Sequence, residues 1–159
     1  MVFNKLIFIC EDNATLGPMA QAIFDREAPD LEIDVISRGM VVLFSEPTNL
    51  KASTILEEHD LTMPVALTVQ FSPRDVNPYT LLVTMNKAQK RRLATDFKVN
   101  DNVYTLAECA GSSDEIINPY GKGEEVYEET FKQMESYIKE MVKRLKNDIP
   151  FGVSVQSVL

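Results

Sequence analysis

The sequence predicts an α/β fold, a single three-layer domain in which a four-stranded parallel sheet carries helices on both faces. Three observations predict it. Strand-like and helix-like segments alternate along the chain, which implies a parallel sheet covered on both sides. The first strand candidate is an unbroken apolar run, as expected of a strand buried on both faces. A polar loop joins that run to a helical pattern, in the place where ligands meet open parallel sheets. With 159 residues, 45% of them hydrophobic and 25% charged, the chain has an ordinary globular composition and the length for one sizeable core.

Taken in order, residues 5–10 contain Leu6-Ile7-Phe8-Ile9 and read as the buried first strand. Pro18 suits the first position of a helix, and Met19, Ala20, Ile23 and Phe24 then share one helical face. Residues 31–37 alternate, with Leu31, Ile33, Val35 and Ser37 on one side, and Arg38-Gly39 is expected to break that strand. Asn49 is a candidate N-cap for a helix that turns Ala52, Ile55 and Leu56 inward and ends near His59-Asp60. His59, the only histidine, suits a helix C-terminus. Residues 63–78 are irregular and read as connection. Thr80 to Thr84 is the third strand. Residues 86–97 form a helix whose outer face carries Lys87, Lys90, Arg91 and Arg92, read as a solvated basic face. A short fourth strand covers 102–105. A loop from Cys109 to Lys122 precedes the longest helix, 124–146, whose buried stripe is Val126, Thr130, Phe131, Met134, Ile138, Met141 and Leu145. The domain spans residues 1–147, and residues 148–159 form an apolar, alternating C-terminal extension that is the best candidate for contact with another subunit.

The net charge of −8 argues against nucleic-acid and anionic-membrane partners. Two cysteines are too few for a disulfide framework, no segment has the length of a membrane span, and the apolar N-terminal run is too short for a signal peptide. A cytoplasmic protein is expected. No Cys/His cluster suggests a metal, and no cofactor is expected.

The segment with chemical content is Cys10-Glu11-Asp12-Asn13-Ala14-Thr15-Leu16-Gly17-Pro18-Met19-Ala20. A cysteine at a strand end, a tight polar loop and a helix N-terminus together make a nest of N–H groups that favours an anion and lowers a thiol pKa. Cys10, Asn13, Pro18, Met19 and Ala20 match the signature C-x-x-N-x-x-R-S-P-M-A, and the chain thereby resembles the low-molecular-weight protein tyrosine phosphatases, in their bacterial branch. The likeness continues through Ser37-Arg38-Gly39, Glu46-Pro47, Leu82-Val83-Thr84-Met85 and Asn118-Pro119-Tyr120-Gly121. It runs in order over about residues 4–146, and it implies the phosphotyrosine phosphatase I-like fold.

The same resemblance implies a mechanism and marks where this chain departs from it. Cys10 stands at the nucleophile position. Leu16 stands where the family has its phosphate-clamping arginine, and Asn118 where it has the general-acid aspartate. Gly17 replaces the serine that supports the thiolate. Glu11 and Asp12 add negative charge beside the sulfur, which raises a thiol pKa and repels a dianion. Asn13 orders the loop in the family and is expected to keep its shape here, with φ > 0. Tyr120 is expected at the pocket rim, and Ala14 and Thr15 in the loop that meets the ligand. An arginine clamp is worth about 10³ to 10⁵ in rate and general acid–base catalysis about 10² to 10⁴. Arg38, at a strand end, is the one cation with a route to the loop. Cys109 alone cannot supply the cysteine relay of arsenate reductases of this fold. The expectation is therefore a catalytically impaired, pseudophosphatase-like member that binds a phosphorylated protein or another protein partner. The alternative is an active cysteine-dependent phosphatase with slow or atypical chemistry through a Cys10 phospho-enzyme.

Overall fold

A computed structural model describes residues 2–151 of the chain. Four parallel strands, β1 (Lys5–Cys10), β2 (Asp34–Gly39), β3 (Thr80–Thr84) and β4 (Val103–Thr105), lie in the order β2-β1-β3-β4. The helices are α1 (Leu16–Glu27), α2 (Leu50–Glu58), α3 (Lys87–Asp96), a single turn α4 (Leu106–Cys109) and α5 (Glu124–Lys146), with a 3₁₀ turn at Pro73–Asp75.

The period of two in β1 divides the interior. Leu6, Phe8 and Cys10 join the core formed with α1, α2, α4 and α5, while Ile7 and Ile9 join Leu82, Phe71, Met40 and Leu93 of α3 on the opposite face. The continuous apolar run thus reflects burial on both sides, as the sequence implies. His59, at the end of α2, stacks on Phe131 with ring centroids 3.9 Å apart, and its Nε2 lies 2.9 Å from Glu128, which fastens α2 to α5.

Five details differ from the sequence expectation. The second strand begins at Asp34, because residues 31–33 are held in turns by bonds from Leu31 N–H to Ala28 and from Ile33 N–H to Leu31. Arg38 and Gly39 do not break it but form its last two rungs, opposite Ile9 and Cys10. Helix α1 starts at Leu16, so Pro18 is its third residue and not its first, a position whose N–H has no partner within the helix in any case. In α5, Tyr127 and Arg144 are buried with the stripe, whereas Val126 is only half-buried. The turn α4 was missed although Thr105 and Glu108 form a reciprocal cap, a pattern readable as T-x-x-E. Of the C-terminal extension, Ile149 N–H bonds the Arg144 carbonyl and Phe151 packs edge-on against Tyr104 at 5.3 Å. The rest of the extension, residues 152–159, lies outside the described residues.

Candidate functional site

The loop after β1 takes its shape from Asn13. This residue is fully buried with φ of 60°, a conformation asparagine tolerates. Its Nδ2 donates to Ser37 Oγ at 2.9 Å, and its Oδ1 accepts from the Val69 N–H at 2.9 Å. The loop is thereby tied to β2 on one side and to the 67–71 segment on the other. Gly39 completes the seat: a Cβ there would lie 2.9 Å from the Asp12 carbonyl carbon and 3.0 Å from Asn13 N. Its glycine is a close-approach residue.

Cys10 sits at the centre, 2% exposed. The N–H groups of Gly17, Asn13 and Thr15 donate toward its sulfur, so the nest that the sequence implies does form around the thiol. Burial nevertheless dominates and pushes the thiol from an ordinary 9.0 up to about 11; the Gly17 N–H opposes the rise and the Asp12 charge adds to it. Gly17 lies directly behind the sulfur, where a Cβ would stand 3.2 Å from Sγ.

A cavity of about 290 Å³ opens in front of Cys10. Glu11, Asp12, Thr15, Leu16, Asn118 and Tyr120 line it, and Met85, Asn86, Gln89 and Ile116 complete the wall. Among the described residues no lysine or arginine lines this cavity. Asn118 uses its Oδ1 to accept from the Tyr120 N–H at 3.1 Å, and Tyr120 stands at the mouth, 72% exposed. The other three loop residues do not line this cavity: Asn13 and Gly17 turn their N–H groups toward the Cys10 sulfur, and Ala14 faces a neighbouring cleft.

The cations near the loop are engaged. Arg38 donates to the Ser37 carbonyl at 2.8 Å and its Nε lies 3.4 Å from Asp75 Oδ2, so it does not serve the cavity. The α3 basic face is not simply solvated. Arg92 donates to both Glu11 oxygens, at 2.6 and 2.9 Å, and Lys90 pairs with Glu108 at 3.0 Å. Sequence reasoning missed the Arg92–Glu11 contact across 81 positions, and it missed Gln89, whose Oε1 accepts from the Met85 N–H at 2.9 Å. Cys109 is fully buried on the core side and its thiol is pushed far up by burial. Among the described residues, no group of three or more His, Cys, Asp or Glu side chains is placed to hold a metal ion, and no helix is long and apolar enough to cross a membrane.

Comparisons with known proteins agree with this geometry. Residues 5–151 match the model of the family described as low molecular weight phosphotyrosine protein phosphatase. The low molecular weight protein-tyrosine-phosphatase PtpB of Staphylococcus aureus is 28% identical over 134 residues, 84% of this chain and 94% of that protein. A protein-arginine-phosphatase of Bacillus subtilis is 30% identical over 150 residues, 90% of this chain and 97% of its own length. The crystal structure of a YwlE mutant from Bacillus subtilis superposes with a TM-score of 0.83 at 25% identity, covering 89% of this chain and 98% of that one.

Proposed function

We propose that this chain, which belongs to the low molecular weight phosphotyrosine protein phosphatase family, is a catalytically impaired member whose Cys10 cavity binds a cationic or neutral protein side chain. The observation that carries this reading is Leu16, an aliphatic side chain at the signature arginine position, in a cavity whose described lining includes Asp12 and the Arg92-paired Glu11 but no lysine or arginine. Phosphoryl transfer is catalysed almost wholly by positioning and charge stabilisation, and an acidic wall acts against a dianion. Two further features support it. The Cys10 thiol is protonated near neutrality, since burial holds it at about 11, and the thiol form is not the nucleophile. Asn118 has an amide where the family acid stands and cannot release and recapture a proton.

The test is hydrolysis of an aryl phosphate. Turnover is expected at least about 10⁴-fold below that of an active relative, with a partial rise in the double variant Leu16→Arg, Asn118→Asp. Family-like turnover abolished by Cys10→Ser would overturn the reading. That result would favour the second one, a working cysteine-dependent phosphatase. Its supports are the three N–H groups aimed at the Cys10 sulfur and the protein-arginine-phosphatase named among the relatives.

A further inference from the structure

Beside the Cys10 cavity, on the other side of Asp12, lies a shallow cleft of about 260 Å³ lined by Asp12, Ala14, residues 41–44, Glu46 and Thr68. Its surroundings are apolar and open to solvent. Leu43 is 83% exposed and Phe44 80%, and Val41, Leu67 and Val69 are exposed beside them. Scattered exposed apolar residues are ordinary, but a contiguous patch marks an interaction surface.

The patch is held in place. Val41 N–H bonds the Glu11 carbonyl, Thr68 N–H the Glu46 carbonyl, and Asn49 N–H the Ala14 carbonyl, at 2.8 to 3.0 Å. Val42 N–H donates to Gln70 Oε1 at 2.7 Å, and Ser45 Oγ donates to the Thr68 carbonyl at 2.6 Å. Residues 41–46 and 67–70 are thus zipped to each other and to the Cys10 loop. Leu43 and Phe44 stand outward between the tied residues Val42 and Ser45, which limits the further ordering required on binding.

Charge selects the occupant. Asp12 is shared by the cleft and the Cys10 cavity, and Glu46 also lines the cleft. Among the described residues no lysine, arginine or histidine pairs with either carboxylate. We propose that the cleft docks an extended segment of a partner protein in which a large apolar side chain adjoins a basic one. The apolar side chain packs on Leu43 and Phe44, and the basic one reaches Asp12 at the entrance to the Cys10 cavity. The basic half rests on the reading of that cavity given above. The chain's own apolar segment 151–159 carries no basic residue, which disfavours a second copy as occupant. The acidic rim and the net charge of −8 disfavour nucleic acid and an anionic bilayer.

Three fluorescein-labelled hexapeptides on a glycine–serine background test this by anisotropy. The first carries adjacent leucine and arginine, the second serine for the leucine, and the third citrulline for the arginine. The full chain is expected to bind the first at least about tenfold more tightly than either of the others, a difference of about 1.4 kcal/mol. Phe44→Ser and Asp12→Asn are each expected to remove that preference without moving the melting temperature. Arginine-dependent binding that ignores leucine and survives Phe44→Ser overturns the docking cleft and leaves the cavity reading intact. Failure to bind the first peptide at millimolar concentration overturns the proposal. So does a concentration-dependent dimer lost in Phe44→Ser, which would assign the patch to a second copy. Efficient aryl phosphate hydrolysis overturns the cavity reading alone, because the leucine and Phe44→Ser contrasts still report on the cleft.

Discussion

The back of the Cys10 loop and its mouth are built differently. Behind the loop, Asn13 makes two buried bonds, Gly39 admits the backbone at close approach, and Gly17 fits against the sulfur. At the mouth, Leu16 and Asn118 stand at the charge-bearing positions, and Glu11 is drawn outward to Arg92. The contrast teaches that the loop's shape and its chemistry rest on separate residues. One set can change while the other continues to hold the backbone.

The largest expected effect tests the back. Asn13→Ala removes a donor to Ser37 and an acceptor from Val69 in a fully buried position, and should cost about 2–6 kcal/mol at roughly 1–3 per unmade bond. Urea denaturation measures it, and a loss below 1 kcal/mol would erase the contrast. Gly39→Ala forces a methyl against the Asp12 and Asn13 backbone and is expected to cost about 1–3 kcal/mol by overpacking.

Next in size is a pH effect at the boundary between the two regions. The Cys10 thiol keeps its proton longer in the folded than in the unfolded chain, 9.0 rising to about 11. Its contribution to stability is therefore complete below pH 9 and lost as pH rises toward 11, at roughly 1.4 kcal/mol per pH unit. Iodoacetamide labelling of native Cys10 should accelerate with a midpoint near the same upper value. A midpoint near 7 would place a reactive thiolate at the mouth and collapse the distinction. The smallest effect belongs to the rim: Arg92→Ala should change stability by less than about 1 kcal/mol, since the Arg92–Glu11 pair is exposed and screened.

The parts of this molecule that were legible in the sequence depend on local pattern. The apolar run of β1, the N-cap at Asn49 and the stripe of α5 each declare themselves within a few residues, and the spacing from Cys10 to Ala20 identifies the loop. Positive φ at Asn13 follows from residue type and place. The misreadings arise where distant segments decide. Gly39 looks like a strand breaker until Cys10 is seen opposite it and the loop backbone beside it. The basic face of α3 looks solvated until Glu11 and Glu108 come within reach. Ala14 belongs to the neighbouring cleft because residues 41–44 fold over it, and nothing near Ala14 in the chain says so.

The buried bonds of Asn13 bear on how a signature motif is weighed. Removing that side chain threatens the hold between three segments, so a requirement to fold is enough to maintain it, whatever the loop does. Cys10, packed in the core with its thiol protonated, falls under the same constraint to a lesser degree. The signature letters that persist here include those whose loss the scaffold would feel. A requirement to fold thus suffices to keep the asparagine, and activity has to be measured separately from the survival of the motif.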